Sequence, residues 1–292
     1  MLRKTIYLLS LTAAALAVAG SLELPSPQRA SPAGSRSPAP QRPTGAAQIK
    51  SGPAPSVIPA IATNTPRFTP DAAVWMGRHW RITHGGMAGV AQGDPANVFV
   101  DAHGYLHLRI ARRNRAWTAA EMFSQSRMGF GTYQWQVQGD IYKMDKSTVL
   151  ALFPYGPAAH IGVDAENEID TEFSQWNGTC HCNADFTVYP STGHRFKRGA
   201  SSWEDNFTIR PGGSALTTVR VVWTSTRIVF TLMSGLQPLG TTAHVLKTDT
   251  YTADAIHIPQ VPMPVGMNFW CFKATPAHSQ EAVVRSFQFQ PR

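Results

Sequence analysis

Glu168-Ile169-Asp170-Thr171-Glu172-Phe173 is the stretch from which the fold is read. With the two-residue period of a strand, Glu168, Asp170 and Glu172 fall on one face and Ile169, Thr171 and Phe173 on the other. Acidic residues are disfavoured in strands. Three in strict alternation, backed by a face fit for a core, need a reason beyond stability. Like charges on the same face repel, and shared burial raises at least one pKa. Acid–base chemistry uses such an arrangement, because one carboxylate must stay ionised while a neighbour holds its proton near neutral pH. The strand is therefore the candidate active site. The competing reading is a solvated sheet face, since Asp164 and Glu166 share the parity and would extend the acidic run.

Outward from this stretch the chain reads as strands separated by turns. Residues 97–100 and 105–110 flank Asp101-Ala102-His103-Gly104, a hairpin-like turn. Residues 131–138 alternate cleanly, and 147–153 form a continuous apolar run ending at Pro154, as a strand covered on both faces would. Further strands are expected at 184–189, 217–223, 227–233, 265–272 and 282–289. No stretch sustains helical periodicity over three turns. The pattern predicts an all-β sandwich of two sheets around one core, with alternating aromatics lining a concave groove.

The remaining sequence bounds the setting. Arg3 and Lys4 precede an apolar run, 6–18, that ends in Ala17-Val18-Ala19. This reads as a secretory signal peptide over 1–19, cleaved near Ala19. The run is short for a membrane span, and no later stretch approaches the length one needs. No cysteine lies near the cleavage site, so a lipid-anchored N-terminus is not expected. Residues 20–66 are rich in Pro, Ser, Ala and Gln and poor in aromatics. Such a segment buries too little apolar surface to offset its chain entropy, and a disordered tether is expected. One domain is expected over 67–292, in a secreted or periplasmic, monomeric protein.

The formal net charge is +8. The positive charge is thinly spread, with Arg109, Arg112, Arg113 and Arg115 the densest cluster, whereas the notable constellation is acidic. That balance argues against a nucleic-acid partner and fits solubility or attraction to an anionic cell-surface matrix. Cys180, Cys182 and Cys271 are too few for a disulfide scaffold. One bridge leaves an odd thiol, and a Cys180–Cys182 bridge would close a very small, strained ring. Cys180-His181-Cys182 as metal ligands lacks an evident fourth ligand. A loop with one bridge or with free thiols is the expectation. His160, His181 and His194 show no metal-ligand spacing.

Glu168-Ile169-Asp170-Thr171-Glu172 resembles the E-[aliphatic]-D-x-E signature of glycoside hydrolase family 16, which includes bacterial lichenases and laminarinases and folds as a β-jelly-roll. The flanks agree in order. Ala120-Glu121-Met122-Phe123-Ser124 followed by Gly129-Phe130-Gly131-Thr132-Tyr133 resembles one strand pair of the family. Met267-Asn268-Phe269-Trp270 resembles its "MNLW" strand, and 283–289 its closing strand. The resemblance implies a retaining glycosidase with Glu168 as nucleophile, Asp170 as its assisting neighbour and Glu172 as general acid/base. Along an ideal strand, residues four apart lie about 13 Å apart at Cα. A retaining mechanism needs carboxyl groups about 5–5.5 Å apart, so both side chains must lean together on a curved strand.

Other positions follow from the resemblance or from parity. Trp176 and Trp270 could stack on sugar rings, and Tyr133 and Trp135, which share a parity, could add to that platform; ordinary sandwich core is the competing reading for each. Glu121 matches a family cleft position, but the Arg that lichenase-like members carry two residues later is Phe123 here. Thr187 and Tyr189 sit where relatives place polar cleft residues. No cofactor is required by this chemistry; a structural calcium ion is common among relatives, but no dedicated ligand loop stands out here. The expected partner is a polysaccharide, most naturally a β-glucan. A non-catalytic carbohydrate-binding or cell-envelope protein, and a transglycosylase using the same carboxylates, are the alternatives.

Overall fold

The computed structural model describes residues 72–156, 166–191, 203–210 and 215–292. The expected signal segment, the tether, Asp164, His160 and His194 lie outside those residues. Sixteen strands form among them: β1 Ala72–Trp75, β2 Arg78–Ile82, β3 Gln92–Gly93, β4 Val98–Val100, β5 Leu106–Arg113, β6 Ala116–Met128, β7 Gly131–Gln138 and β8 Thr148–Pro154. The second half adds β9 Glu168–Ser174, β10 Ala184–Tyr189, β11 Trp203–Phe207, β12 Leu216–Trp223, β13 Arg227–Ser234, β14 Val245–Thr252, β15 Met263–Cys271 and β16 Gln280–Pro291. The helical pieces are three-residue 3-10 turns at Pro95–Asn97, Trp176–Gly178 and Ala255–His257. Every strand expected from the sequence is present, with ends shifted by a few residues at most.

The hydrogen-bonded order runs β11-β10-β9-β8-β15-β6-β5-β16-β7-β12-β13-β14, and β1 joins through β2 onto β6. Long β5 and β6 carry the chain from one layer to the other: β6 pairs β15 and β2 in the first layer, and β5 pairs β16 in the second. The result is a jelly-roll sandwich with a cleft. Aromatic side chains close the two layers together. Phe186 of β10 stacks on Phe230 of β13 at 4.6 Å between ring centroids, and Trp80 of β2 meets Phe287 of β16 at 5.9 Å. Trp80, Trp135 and Trp223 are fully buried. Their size makes them the largest single contributors to apolar burial, each worth about 3 kcal/mol or more. Two of the indole N–H groups remain satisfied: Trp80 donates to the Trp75 carbonyl and Trp223 to the Pro259 carbonyl, each at 3.0 Å.

The strands that position the site alternate as their sequences dictate. On β9, Ile169, Thr171 and Phe173 are wholly buried on the core side, leaving Glu168, Asp170 and Glu172 to face away from it. On β15, Met263, Val265, Met267, Phe269 and Cys271 enter the core, so Gly266, Asn268 and Trp270 share the face of the acids. All of β8 is buried, with Leu150 and Leu152 in the main core and Ala151 and Phe153 in a separate apolar cluster with Phe123. The acidic parity stops at Glu168. Asn167 takes a left-handed φ of 52°, which ends the strand before Glu166 can continue its face.

The three cysteines divide into one bridge and one thiol. A disulfide joins Cys180 and Cys182, whose Cα atoms are 5.1 Å apart, and Cys271 is a buried free thiol. The small ring therefore forms, in the loop between β9 and β10. No group of His, Cys, Asp and Glu among the described residues has the arrangement to hold a metal ion.

Candidate active site

Strand register aligns the polar residues of the first layer into rows that cross it at right angles to the strands. One row runs Glu121 (β6), Asn268 (β15), Ala151 (β8), Glu172 (β9), Asp185 (β10) and Asn206 (β11), each directly opposite the next. The next row holds Phe123, Gly266 and Phe153, then Asp170, Thr187 and Glu204. A third pairs Tyr155 with Glu168 and Glu168 with Tyr189. Directly opposed residues on one face lie about 5 Å apart at Cβ. Residues from opposite ends of the chain are thereby placed beside the three acids, which sequence spacing does not reveal.

The carboxylates are crowded, with Asp170 and Asp185 dry and Glu168 and Glu172 half-buried. Asp170 is 5% exposed and Asp185 1%. Burial drives the Asp170 carboxyl well above its usual range, and the charges of Glu168, Glu172 and Asp185 push it further. Glu172 is raised in the same way, by burial first and then by Asp185, Glu168 and Glu204. Burial also lifts Asp185, to about 7, against the hydrogen bond it accepts from Trp176. The Tyr189 hydroxyl is raised by burial and by four neighbouring carboxylates, which keeps it a neutral hydrogen-bond donor. Glu168, Asp170, Glu172 and Asp185 cannot all ionise at this spacing, so protons must be shared among them.

Trp176 stands at the end of this cluster. Its backbone adopts a left-handed φ of 48°, followed by Asn177 at 57°, so the chain turns sharply after β9. The turn is held by the Trp176 backbone N–H donating to the Ser174 hydroxyl at 2.9 Å. The indole then reaches back, donating from Nε1 to Asp185 Oδ2 at 2.9 Å. Its ring packs edge-on to Trp270 at 6.3 Å and to Phe272 at 5.0 Å. Both tryptophans are half-buried, leaving apolar surface at the side of the acidic row.

At the other end of the row, Glu121 is buried and accepts from the Thr83 hydroxyl at 2.6 Å. Burial raises its pKa, opposed by that bond and by Asn268. The Asn268 side-chain oxygen is buried with no partner among the described residues, an acceptor suited to an incoming hydroxyl. Between the row's ends lies an aromatic floor. Phe123 and Phe153 meet edge-to-face at 5.8 Å, and Tyr155 packs on both at 6.3 Å. Gly266 makes room for them, since a Cβ there would come within 2.6 Å of Phe153 and 2.8 Å of Phe123.

Of the residues expected at the site, Glu168, Asp170, Glu172, Glu121, Trp176, Thr187, Tyr189 and Trp270 share this face. Tyr133 and Trp135 do not. Both are fully buried on β7, in the second layer, where they pack against Phe289 and Phe287 in the main core. Parity places them together but not on the outer face. Tyr133 donates its hydroxyl to the Gly129 carbonyl at 2.6 Å, which satisfies it inside the fold. Asp185 and Asn268 are the residues the sequence reading passed over. The signal for Asp185 was its parity with Thr187 and Tyr189.

No family model and no curated protein matches the chain. Solved structures do resemble it. A β-1,3-1,4-glucanase (lichenase) from a mouse hindgut metagenome is 17% identical with a TM-score of 0.53, over 73% of this chain and 93% of that one. The Bacillus licheniformis β-glucanase is 19% identical with a TM-score of 0.54, over 79% and 100%. A β-1,3-glucanase from Mycobacterium marinum is 18% identical with a TM-score of 0.54, over 78% and 100%. At these identities the likeness establishes a shared jelly-roll fold.

Proposed function

We propose that this protein is a secreted, retaining endo-glycosidase that cleaves internal β-linkages of a polysaccharide, most naturally a β-glucan. The observation that carries the proposal is the acidic face of β9: three alternating carboxylates turned away from the core and opposed one for one by Asp185, Thr187 and Tyr189. The substrate class draws on the three β-glucanases that share the fold, two of which are described as acting on β-1,3-1,4- or β-1,3-glucan.

In this reading Glu168 attacks the anomeric carbon while Glu172 gives its proton to the departing glycosidic oxygen. Water then attacks the glycosyl–Glu168 ester, and Glu172 takes the proton from that water. Asp170, on the same face between them, is pushed toward its protonated form by burial and by the neighbouring carboxylates, and in that form it can donate a hydrogen bond to Glu168. Tyr189, directly opposite Glu168, supplies a second neutral donor on that side. Trp176 and Trp270 offer ring faces for sugar C–H groups, and Glu121 with Asn268 offers acceptors for hydroxyls.

The proposal is tested with purified protein on defined β-glucans and galactans, reading new reducing ends. Glu168→Gln is expected to abolish turnover with folding intact. Glu172→Gln is expected to lose most activity on polysaccharide but far less on activated aryl glycosides, because a good leaving group needs little acid assistance. Retention of the polymer by the wild type without any release of reducing ends would leave a binding protein and overturn the enzyme assignment. A Glu168→Gln protein hydrolysing at near the parental rate would remove the nucleophile from β9.

A further inference from the structure

We infer that Asp185 is a positioning residue that shares one proton with Glu172, and that the Trp176 indole fixes that proton on Glu172. The inference rests on the glycosidase reading for its purpose but on hydrogen-bond chemistry for its content.

Asp185 lies directly opposite Glu172 across β9 and β10, and the two carboxyl side chains are hydrogen-bonded to each other. A hydrogen bond between two carboxyl groups requires that one of them carry a proton. Which one is decided by the other contacts. Indole Nε1–H is a donor with no capacity to accept, and it points at Asp185 Oδ2 from 2.9 Å. The Thr187 hydroxyl lies 3.4 Å from Asp185 Oδ1 and donates toward it. Both oxygens of Asp185 are thus met by donors, and such bonds are stronger to a carboxylate than to a neutral acid, so they favour Asp185 as the anion of the pair. At 1% exposure Asp185 relies on these donors rather than on bulk water. The shared proton therefore sits on Glu172, and the donors run in one direction: indole N–H to Asp185, and Glu172 O–H to Asp185.

Among the described residues, the other charged and titratable groups facing the pair are Glu168 and Asp170 on β9, Tyr189 on β10 and Glu204 on β11. None is a cation. The neighbourhood therefore favours retention of the proton by the pair, and nothing on it draws the proton away from Glu172. Once Glu172 has released its proton to a leaving group, it faces an ionised Asp185. That repulsion restores its basicity for taking a proton from the attacking water, so the same contact serves both halves of the reaction. Trp176 gains a role distinct from stacking: its ring faces Trp270 and Phe272 while its N–H sets the charge state one strand away.

The test follows Glu172 itself. Protein labelled with 13C at glutamate side-chain carboxyls is titrated by NMR, with the Glu172 signal assigned by its loss in Glu172→Gln. In the wild type this carboxyl is expected to titrate well above an ordinary glutamate. Asp185→Asn removes the adjacent anion and presents an amide N–H, so Glu172 should titrate at least one pH unit lower. Trp176→Phe keeps an aromatic ring but removes the donor, the proton passes to Asp185, and Glu172 should again ionise at lower pH. On a hydrolysable glucan, the alkaline limb of kcat/KM should move down with the NMR titration in both variants. A Glu172 titration unmoved in both variants would overturn the assignment of Asp185 and Trp176, whatever the activity. A wild type that hydrolyses no glycan but shows the shifted titrations would overturn the glycosidase reading alone.

Discussion

Asp185→Asn should make the protein more stable at neutral and alkaline pH, although it removes a group placed at the candidate active site. Burial lifts this carboxyl from an ordinary 3.8 to about 7. A carboxylate with a raised folded-state pKa supports folding while protonated, so its contribution is fully present below pH 4 and is lost as pH rises through about 7. Roughly three pH units at about 1.4 kcal/mol each set a ceiling of about 4 kcal/mol above that window. The asparagine carbonyl oxygen can still accept from Trp176, and its amide can donate to Glu172, so little hydrogen bonding is forfeited. Because Asp185 titrates together with Glu172, the net gain is expected below that ceiling, on the order of 2 kcal/mol. For a domain of this size that raises Tm by about 4–8 °C. Calorimetric melts of parent and variant at pH 8 and pH 4 read the effect, with near-coincident melts expected at pH 4. A lower Tm for the variant at pH 8, or an equal gain at both pH values, would refute the claim that charge burial at β10 is what costs stability.

Gly266→Ala should destabilise by about 1–3 kcal/mol, because the new Cβ would press on Phe153 and Phe123 from 2.6 and 2.8 Å. Chemical denaturation measures this, and adding Phe153→Leu should recover part of the loss. Arg220→Met in the second layer should cost about 3 kcal/mol. The buried guanidinium donates to Gln134 Oε1 at 2.8 and 2.6 Å and to the carbonyls of Pro238 and Thr241 at 3.0 and 2.8 Å. Losing it should also expose 235–242 to limited proteolysis under conditions where the parent resists.

The acids of β9 were legible in the chain because a strand's period is short and local. Alternation separates Glu168, Asp170 and Glu172 from Ile169, Thr171 and Phe173 without knowledge of any partner. The same held for β8, whose unbroken apolar run announces cover on both faces. Strands lacking such a face were silent: β1, β11 and β14 lie at or near sheet edges, and β14 exposes Val245, Thr248, Thr250 and Thr252 while burying no residue fully. A one-residue choice of face was also beyond the sequence. Tyr133 and Trp135 share a parity that suits a cleft or a core equally well, and only the pairing of β7 between β16 and β12 in the second layer sent them inward.

What the sequence determined by itself was the set of acids, their common face and the all-β class, since these depend on neighbours two residues away. What the tertiary structure alone decided was which groups stand opposite those acids. Asp185 sits thirteen positions from Glu172 in the chain and meets it only through the register of β9 against β10. Asn268 and Glu121 join the row from strands far away in sequence. A carboxyl's proton affinity is set by burial and by what faces it, and both are properties of the folded sheet.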